Sequence, residues 1–352
     1  MKKQFGFRPE LDILKDEDYV FGGFSGLTDD ITLESGDSWA NYLSIGEHQA
    51  TKHFDPYACV SLSALNCIEA ILNYKKTKGL LNKAFIKWCE DKGYFNDLGQ
   101  FDFSDRYIAK LSGTDLKNGN SGAVVADTMR NYGLIPEKMY PSNRDMSRAE
   151  YYKTITADLI ELGKEWNEWV EIKYERVFCN TVSMKDALVH SPLQVYVYAW
   201  ENPINGVYQA TNKTPNHAIS EFMPEWFIFD SYTEDELWGK DFIKQLASNF
   251  KFYTFGYKYQ VLIKKKDMPE KFVKIVKKNE SNEHGLYIPV ISADVLKQLS
   301  NMFDIDIPLK SNGSVDWEKV KVDGEVAMYA SSQDYVEAKG TFWDWFKKFM
   351  GL

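Results

Sequence analysis

Cys59 stands near the head of the run ACVSLSALNCIEAILNYKK, residues 58–76, in which Leu62, Leu65, Ile68 and Leu72 recur at the spacing of a helix with one buried face. A thiol on the first turn of a helix is a chemical opportunity. Aligned peptide dipoles put partial positive charge there and favour the thiolate, which is the nucleophilic form. An imidazole beside it would hold that thiolate as an ion pair, and would itself need an acceptor on its second nitrogen. His217 lies 158 residues downstream (217 − 59), and Asp230 follows it by 13 (230 − 217). HAISEF at 217–222 and WFIFDSY at 226–232 read as strands separated by the break Met223-Pro224-Glu225, so a hairpin would fold His217 and Asp230 together. Sulfur, imidazole and carboxylate in series are the parts of a nucleophilic acyl transfer.

The elements that must position these residues divide the chain. Residues 1–48 show no sustained period and read as an irregular strap over the domain that follows, without the long helical pattern of an inhibitory propeptide. Helices are expected over 58–76, at SDRYIAKLSGT (104–114), at SGAVVADTMRNYGL (121–134) with Ser121 as N-cap and Gly133 as stop, as one long amphipathic helix over 147–170, and at MKDALVHS (184–191) before Pro192. QVYVYAW (194–200) and FYTFGYKYQVLI (252–263) join the two strands already named. Helices first and strands later is the pattern of an α+β domain, with a cleft between the halves as the natural site. Residues 264–282 read as a lysine-rich linker or exposed helix. Residues 283–352 read as a small second unit with a helix at 292–303, a turn in KSNGSVDW and the aromatic end GTFWDWFKKFMGL.

Composition bounds the function. Of 352 residues 44% are hydrophobic and 15% aromatic, enough for a packed core. A net charge of −9 has the wrong sign for a nucleic-acid partner. The cysteines at 59, 67, 89 and 179 lack C-x-x-C spacing and are too few for a disulfide framework, so free thiols in a reducing, cytoplasmic setting are expected, with no metal and no cofactor. No apolar stretch reaches the length of a membrane span and no signal-peptide pattern opens the chain, so a soluble protein without a transmembrane segment is expected. His48, His190 and His284 read as surface residues, and the lysines from 264 to 278 as a solvated face.

With these residues in place, the sequence resembles the papain-like cysteine peptidases over roughly residues 40–263. CVSLSALNCIEAI at 59–71 resembles the family's catalytic helix, C-W-A-F-S continuing to a Glu, with Cys59, Ser63 and Glu69 matching without gaps. NHAI at 216–219 resembles the catalytic N/D-H-A-V, FIFDSY at 227–232 the strand ending in N-S-W, and SPLQVYVYA at 191–199 the strand before the histidine. GNSG at 119–122, followed by a helix and Tyr140-Pro141, is similar to the Gly-rich substrate loop and its Y-P. The spacing from Cys to His is close to the roughly 130–150 residues usual there.

The resemblance implies a two-lobed papain-like α+β fold spanning residues 1–263, with a helical lobe, an antiparallel β lobe, and 264–352 as an appendage. It implies a cysteine endopeptidase acting on protein or peptide substrates, with Cys59, His217 and Asp230 as the triad. Gln49 is the expected oxyanion donor with His53 as the alternative, and Gly119, Asn120, Ser121, Gly122 and Asn216 are expected to hold the substrate backbone. The sequence departs from the family at Val60, at Asp230 where Asn is usual, and at Tyr232 where a shielding Trp is usual. A carboxylate accepts the imidazole N–H as well as an amide does, whereas loss of the Trp would leave the Asp230–His217 bond wetter.

Two other readings remain open on sequence alone. One is a structural or adaptor protein, for instance of a bacteriophage virion, that keeps the fold as a scaffold, with the terminal FWDWFKKFM as a docking helix for an assembly partner or a membrane-interfacial anchor. The other is a cell-wall peptide amidase or transpeptidase using the same triad.

Overall fold

The structure is a computed structural model. It describes residues 6–264 apart from 15–17, 23–26, 28–30, 50, 116–117, 201–202, 224–225 and 233–242 (222 and 223 by backbone only), and beyond 264 the backbone of six short strands.

Helix α1 (Cys59–Thr77) is the axis of the first half. Its sequence promises one buried face, but every residue from Cys59 to Lys75 is buried. The reason lies in its surroundings. A 3-10 turn over Trp39–Tyr42, α3 (Asp105–Leu111) and α4 (Gly122–Tyr132) close on it from one side and the sheet from the other. Its polar residues, Ser61, Ser63, Asn66, Glu69 and Asn73, are therefore interior groups that need interior partners.

Helix α2 (Lys83–Lys92) is capped by Asn82, whose side chain accepts from the Phe85 N–H at 2.6 Å. The long helix expected over 147–170 is instead two: α5 (Arg148–Tyr151) and α6 (Ala157–Trp169). The break falls at Thr154-Ile155-Thr156, a β-branched run that resists helix at χ1. The chain then continues into strand β1 (Val170–Phe178), which the sequence reading did not anticipate. Trp166, fully buried, packs on Phe85, Tyr94 and Phe103 and joins α6 to the α2 region.

After α7 (Thr181–Leu188) come β2 (Leu193–Val197), β3 (Val207–Tyr208), β4 (His217–Met223), β5 (Phe227–Phe229), β6 (Ile243–Leu246) and β7 (Phe255–Ile263). With β1 they form one sheet in the order β1-β7-β2-β4-β5-β6-β3, antiparallel except for the β3–β6 pair. The β4–β5 hairpin expected from sequence is present, with Ser220 opposite Phe229. The architecture is α+β, helices first and sheet second. No described helix is long and apolar enough to cross a membrane.

The chain divides into two compact units, Met1–Lys264 and Lys265–Leu352. The second contains two small antiparallel sheets. One joins β8 (Phe272–Ile275), β9 (Leu286–Pro289) and β13 (Met328–Ala330), and the other β10 (Ile305–Asp306), β11 (Lys321–Val322) and β12 (Glu325–Val326). Residues 272–275 of the expected linker are thus strand. The helix expected at 292–303, the KSNGSVDW turn, His284 and the aromatic terminus lie outside the described residues.

Candidate active site

Cys59 is the first residue of α1, as its sequence position implies. Ahead of it Tyr57 takes a left-handed conformation (φ 56°), and its N–H is held by Asp55 Oδ1 at 2.9 Å. Ala58, at the N-cap, supplies no side-chain bond, so no capping side chain takes up the positive end of the helix where the sulfur sits. The first turn is bound to the sheet by Gln194 of β2, whose Nε2 donates to Val60 O at 2.7 Å and to Ser63 Oγ at 2.8 Å, and whose Oε1 accepts from the Tyr259 hydroxyl at 2.7 Å. Ser220 of β4 donates to Ser63 O at 3.0 Å. These bonds fix the end of α1 against the strand that carries the imidazole.

His217 opens β4 opposite Val197, and Asp230 follows the last residue of β5. The hairpin brings His217 Nε2 to 2.7 Å from Asp230 Oδ1, which leaves Nδ1 as the ring nitrogen not engaged by the carboxylate, and Cys59 is near enough to act on the charge of the ring. All three residues are 0% exposed. Burial pulls the imidazole pKa down, but the charge of Asp230 and the Cys59 sulfur outweigh it and lift the group to about 9. Burial likewise pushes the Asp230 carboxyl up, and Lys244 and His217 overcome it, holding the carboxyl well below the usual carboxylate range.

Asp230 has more partners than the sequence suggested. Oδ1 also accepts the Tyr232 N–H at 3.1 Å, while Oδ2 accepts the Trp200 indole N–H at 2.6 Å and the Lys244 ammonium. Trp200 meets the His217 ring edge-on, with centroids 5.9 Å apart at 81°. The expected wet Asp230–His217 bond is therefore corrected: Trp200, from the other side of the hairpin, shields the pair in place of a Trp at 232. Tyr232 turns its hydroxyl to Asp55. Trp200 was visible only as the end of a predicted strand. Lys244 lies on β6, where the alternation is inverted, with Ile243 exposed and Lys244 4% exposed; a buried lysine reads from sequence as a solvent-facing one.

Gln49 is buried beside the turn that carries Asp230. Its N–H donates to Ser231 O at 3.2 Å, its Oε1 accepts from Ser231 Oγ at 3.0 Å and its Nε2 donates to Asp55 Oδ1 at 3.4 Å. His53, the alternative, is exposed in the Thr51–Phe54 turn. His48, read as a surface residue, is 3% exposed, and burial pushes its pKa down to about 4 against the opposing charge of Asp230. His190 is also not free on the surface, since its Nδ1 lies 2.9 Å from Ile31 O.

The backbone expected to hold substrate is already engaged. Gly6–Arg8, part of the irregular strap, lies along Asn120: Asn120 N–H donates to Gly6 O at 2.6 Å and Arg8 N–H to Asn120 O at 2.9 Å. Phe7 N–H donates to Asn216 O, beside His217, at 3.0 Å. The contact needs two glycines. A Cβ on Gly119 would fall 1.7 Å from Gly6 O, and one on Gly6 2.0 Å from Tyr57 O, two residues before Cys59. Phe7 is 4% exposed and stacks on Tyr196 with centroids 3.8 Å apart. Ser121 caps α4, accepting from Val124 N–H at 3.5 Å, and Gly122 lies so close to Tyr196 and Tyr257 that a side chain would collide with them. Asn216 Oδ1 accepts the Ala199 N–H at 3.0 Å. Carboxylates that could hold a cation, Glu47, Glu69 and Asp102, are grouped around the far part of α1.

The site thus defines a class: an α+β chain that buries a helix-borne thiol near a strand-borne imidazole bonded to a carboxylate. No protein-family model matches the chain, and no curated protein does. Its fold resembles that of papain-like cysteine proteases. Similar solved structures include xylellain from Xylella fastidiosa, at 15% identity over 75% of this chain and 98% of that one with a TM-score of 0.44. Bromelain from Ananas comosus is similar at 17% identity over 66% and 99% of the two chains, with a TM-score of 0.38. A cysteine protease from Carica candamarcensis is similar at 12% identity over 65% and 99%, with a TM-score of 0.40.

Proposed function

We propose that this chain is a cysteine endopeptidase using Cys59, His217 and Asp230. The observation that supports this most is the buried pairing of His217 Nε2 with Asp230 Oδ1 at 2.7 Å, with Cys59, itself buried at the head of α1, acting on the charge of the same ring. The thiolate adds to a peptide carbonyl, and the helix end at Cys59 with the Gln49 amide steadies the oxyanion. Collapse breaks the C–N bond as His217 gives its proton to the leaving amine. Water, deprotonated by the imidazole, then releases the acid from the thioester and returns the thiol. Asp230 keeps the imidazole oriented and charged when it must be.

Substrate backbone takes the places that Gly6–Arg8 hold on Asn120 and Asn216, so the strap must leave before a carbonyl can reach the sulfur. The test uses wild type and Phe7→Ala on an unfolded protein such as reduced casein, with new termini read by mass spectrometry. Cleavage that disappears in Cys59→Ser and in His217→Ala supports the assignment. Absence of cleavage by both wild type and Phe7→Ala overturns it and leaves a peptidase-like scaffold.

A further inference from the structure

Four carboxylates from separate segments meet inside the helical half. Glu47 comes from the stretch before α1 and Glu69 from α1 itself, ten residues or about 15 Å of helix beyond Cys59. Asp102 comes from the Phe101–Phe103 stretch, and Asp105 opens α3. One oxygen from each of Glu47, Glu69 and Asp102 lies within 4.8 Å of the others. Glu47 is 3% and Glu69 0% exposed, while Asp102 is half-buried and gives the group its way to solvent.

The side chains around this trio are short of donors. Glu69 Oε1 accepts the Phe103 N–H at 2.7 Å, but Oε2 has no hydrogen-bond partner among the described residues. Asp105, outside the trio and 7% exposed, bears on Glu47 and Glu69 with its charge, and its Oδ1 also lacks a partner there. Glu137 adds a fifth carboxyl group, its Oε1 accepting the Ser142 N–H at 2.6 Å and its Oε2 without a hydrogen-bond partner among the described residues. Among the described residues, Arg106 acts on Glu137, but its guanidinium is committed to the carbonyls of Pro141, Glu150 and Tyr151. Asn66, with its amide turned, gives Glu47 Oε2 one N–H at 3.0 Å.

Buried unpaired carboxylates cost several kcal/mol each, and burial raises the pKa of Glu47, Glu69 and Asp105 well above the usual carboxylate range, so the group is balanced either by bound protons or by a cation that displaces them. The donors are oxygens only, which suits a hard cation. Calcium holds six to eight oxygens at about 2.3–2.6 Å, so two oxygens on one ion stand at most roughly 4.6–5.2 Å apart, a limit that the trio, with its oxygens within 4.8 Å of one another, meets. We propose that Glu47, Glu69 and Asp102 bind a divalent cation of calcium's size, with Asp105 as the adjoining fourth carboxylate. The ion ties the stretch before α1, α1 itself and the segment entering α3 into one unit, away from the sulfur and independent of its chemistry.

The probe is calcium itself, on the full chain stripped with a chelator and held near neutral pH. Calorimetric titration is expected to show one ion per chain, and the thermal midpoint to climb with free calcium once the site is saturated. Glu47→Gln and Glu69→Gln keep size and an acceptor oxygen, and each should weaken binding by at least about tenfold. No heat and no midpoint shift up to about 10 mM calcium, far above the affinity of a working site, overturns the proposal. So does binding that survives both substitutions. If Glu69→Gln does not fold, Glu47→Gln decides.

Discussion

Phe7→Ala should expose Cys59. The Phe7 side chain is 4% exposed, stacks on Tyr196 at 3.8 Å and meets Tyr253 edge-on at 5.4 Å. Burying such a ring is worth about 1.5–3 kcal/mol and each aromatic pair about 0.5–1.5 kcal/mol more. Some of that is recovered as neighbours relax, leaving a loss of about 2–4 kcal/mol in the seating of the strap. At 1.4 kcal/mol per tenfold, the population with the strap lifted rises roughly 30- to 1,000-fold. The assay is the rate of Cys59 alkylation by iodoacetamide, located by peptide mapping, because the sulfur is fully covered in the closed state. Gly119→Ala perturbs the same seat without changing a residue of the strap, since its new methyl would meet Gly6 O at 1.7 Å. Both variants should alkylate at least about tenfold faster than wild type under conditions where urea unfolding shows them still folded. Equal rates in all three proteins would refute the idea that this segment covers the sulfur, whether or not the chain is a peptidase.

The charge network around Asp230 yields two further expectations. Lys244→Met leaves Asp230 buried with one fewer cation, and breaking a buried pair costs about 3–5 kcal/mol, to be read as a fall in the urea midpoint; an unchanged midpoint would mean the ammonium contributes nothing net. His217, raised to about 9, binds its proton more tightly folded than unfolded, so its contribution to stability is complete below about 6.5 and fades as pH climbs through about 9. Wild type should therefore lose more stability than His217→Ala between neutral pH and pH 10, and kcat/KM should fall over the same rise as the proton for the leaving amine is lost.

The pairing of His217 with Asp230 was legible because a local hairpin makes it, and β4 and β5 follow the alternation and the break visible in the sequence. Cys59 was legible because α1 announces its own start. What failed was whatever depends on the rest of the molecule. Strand β1 follows α6 without a turn residue, so no signal marks the change of period at Val170. The all-round burial of α1 is a property of its neighbours, not of its own pattern. Lys244 and Trp200 converge on one carboxylate from positions 44 residues apart in the sequence (244 − 200), and nothing local in a lysine or a tryptophan says that its partner is interior. A strap over the domain was read from the sequence, but its seat was not, for the same reason: beyond the Phe7 ring it is held backbone to backbone through Gly6 and Asn120, a contact that leaves no trace in side-chain type.

That Asp230 draws on Lys244 has a consequence for biosynthesis. The polypeptide leaves the ribosome with cysteine, histidine and carboxylate all in hand once residue 230 has emerged, yet the ammonium that balances the interior anion arrives fourteen residues later (244 − 230). Until then the hairpin would enclose a charge lacking that counter-ion, a strongly disfavoured state. A nascent or prematurely terminated product is thereby disfavoured from enclosing Asp230, and burial of that carboxylate is coupled to the addition of β6 to the sheet.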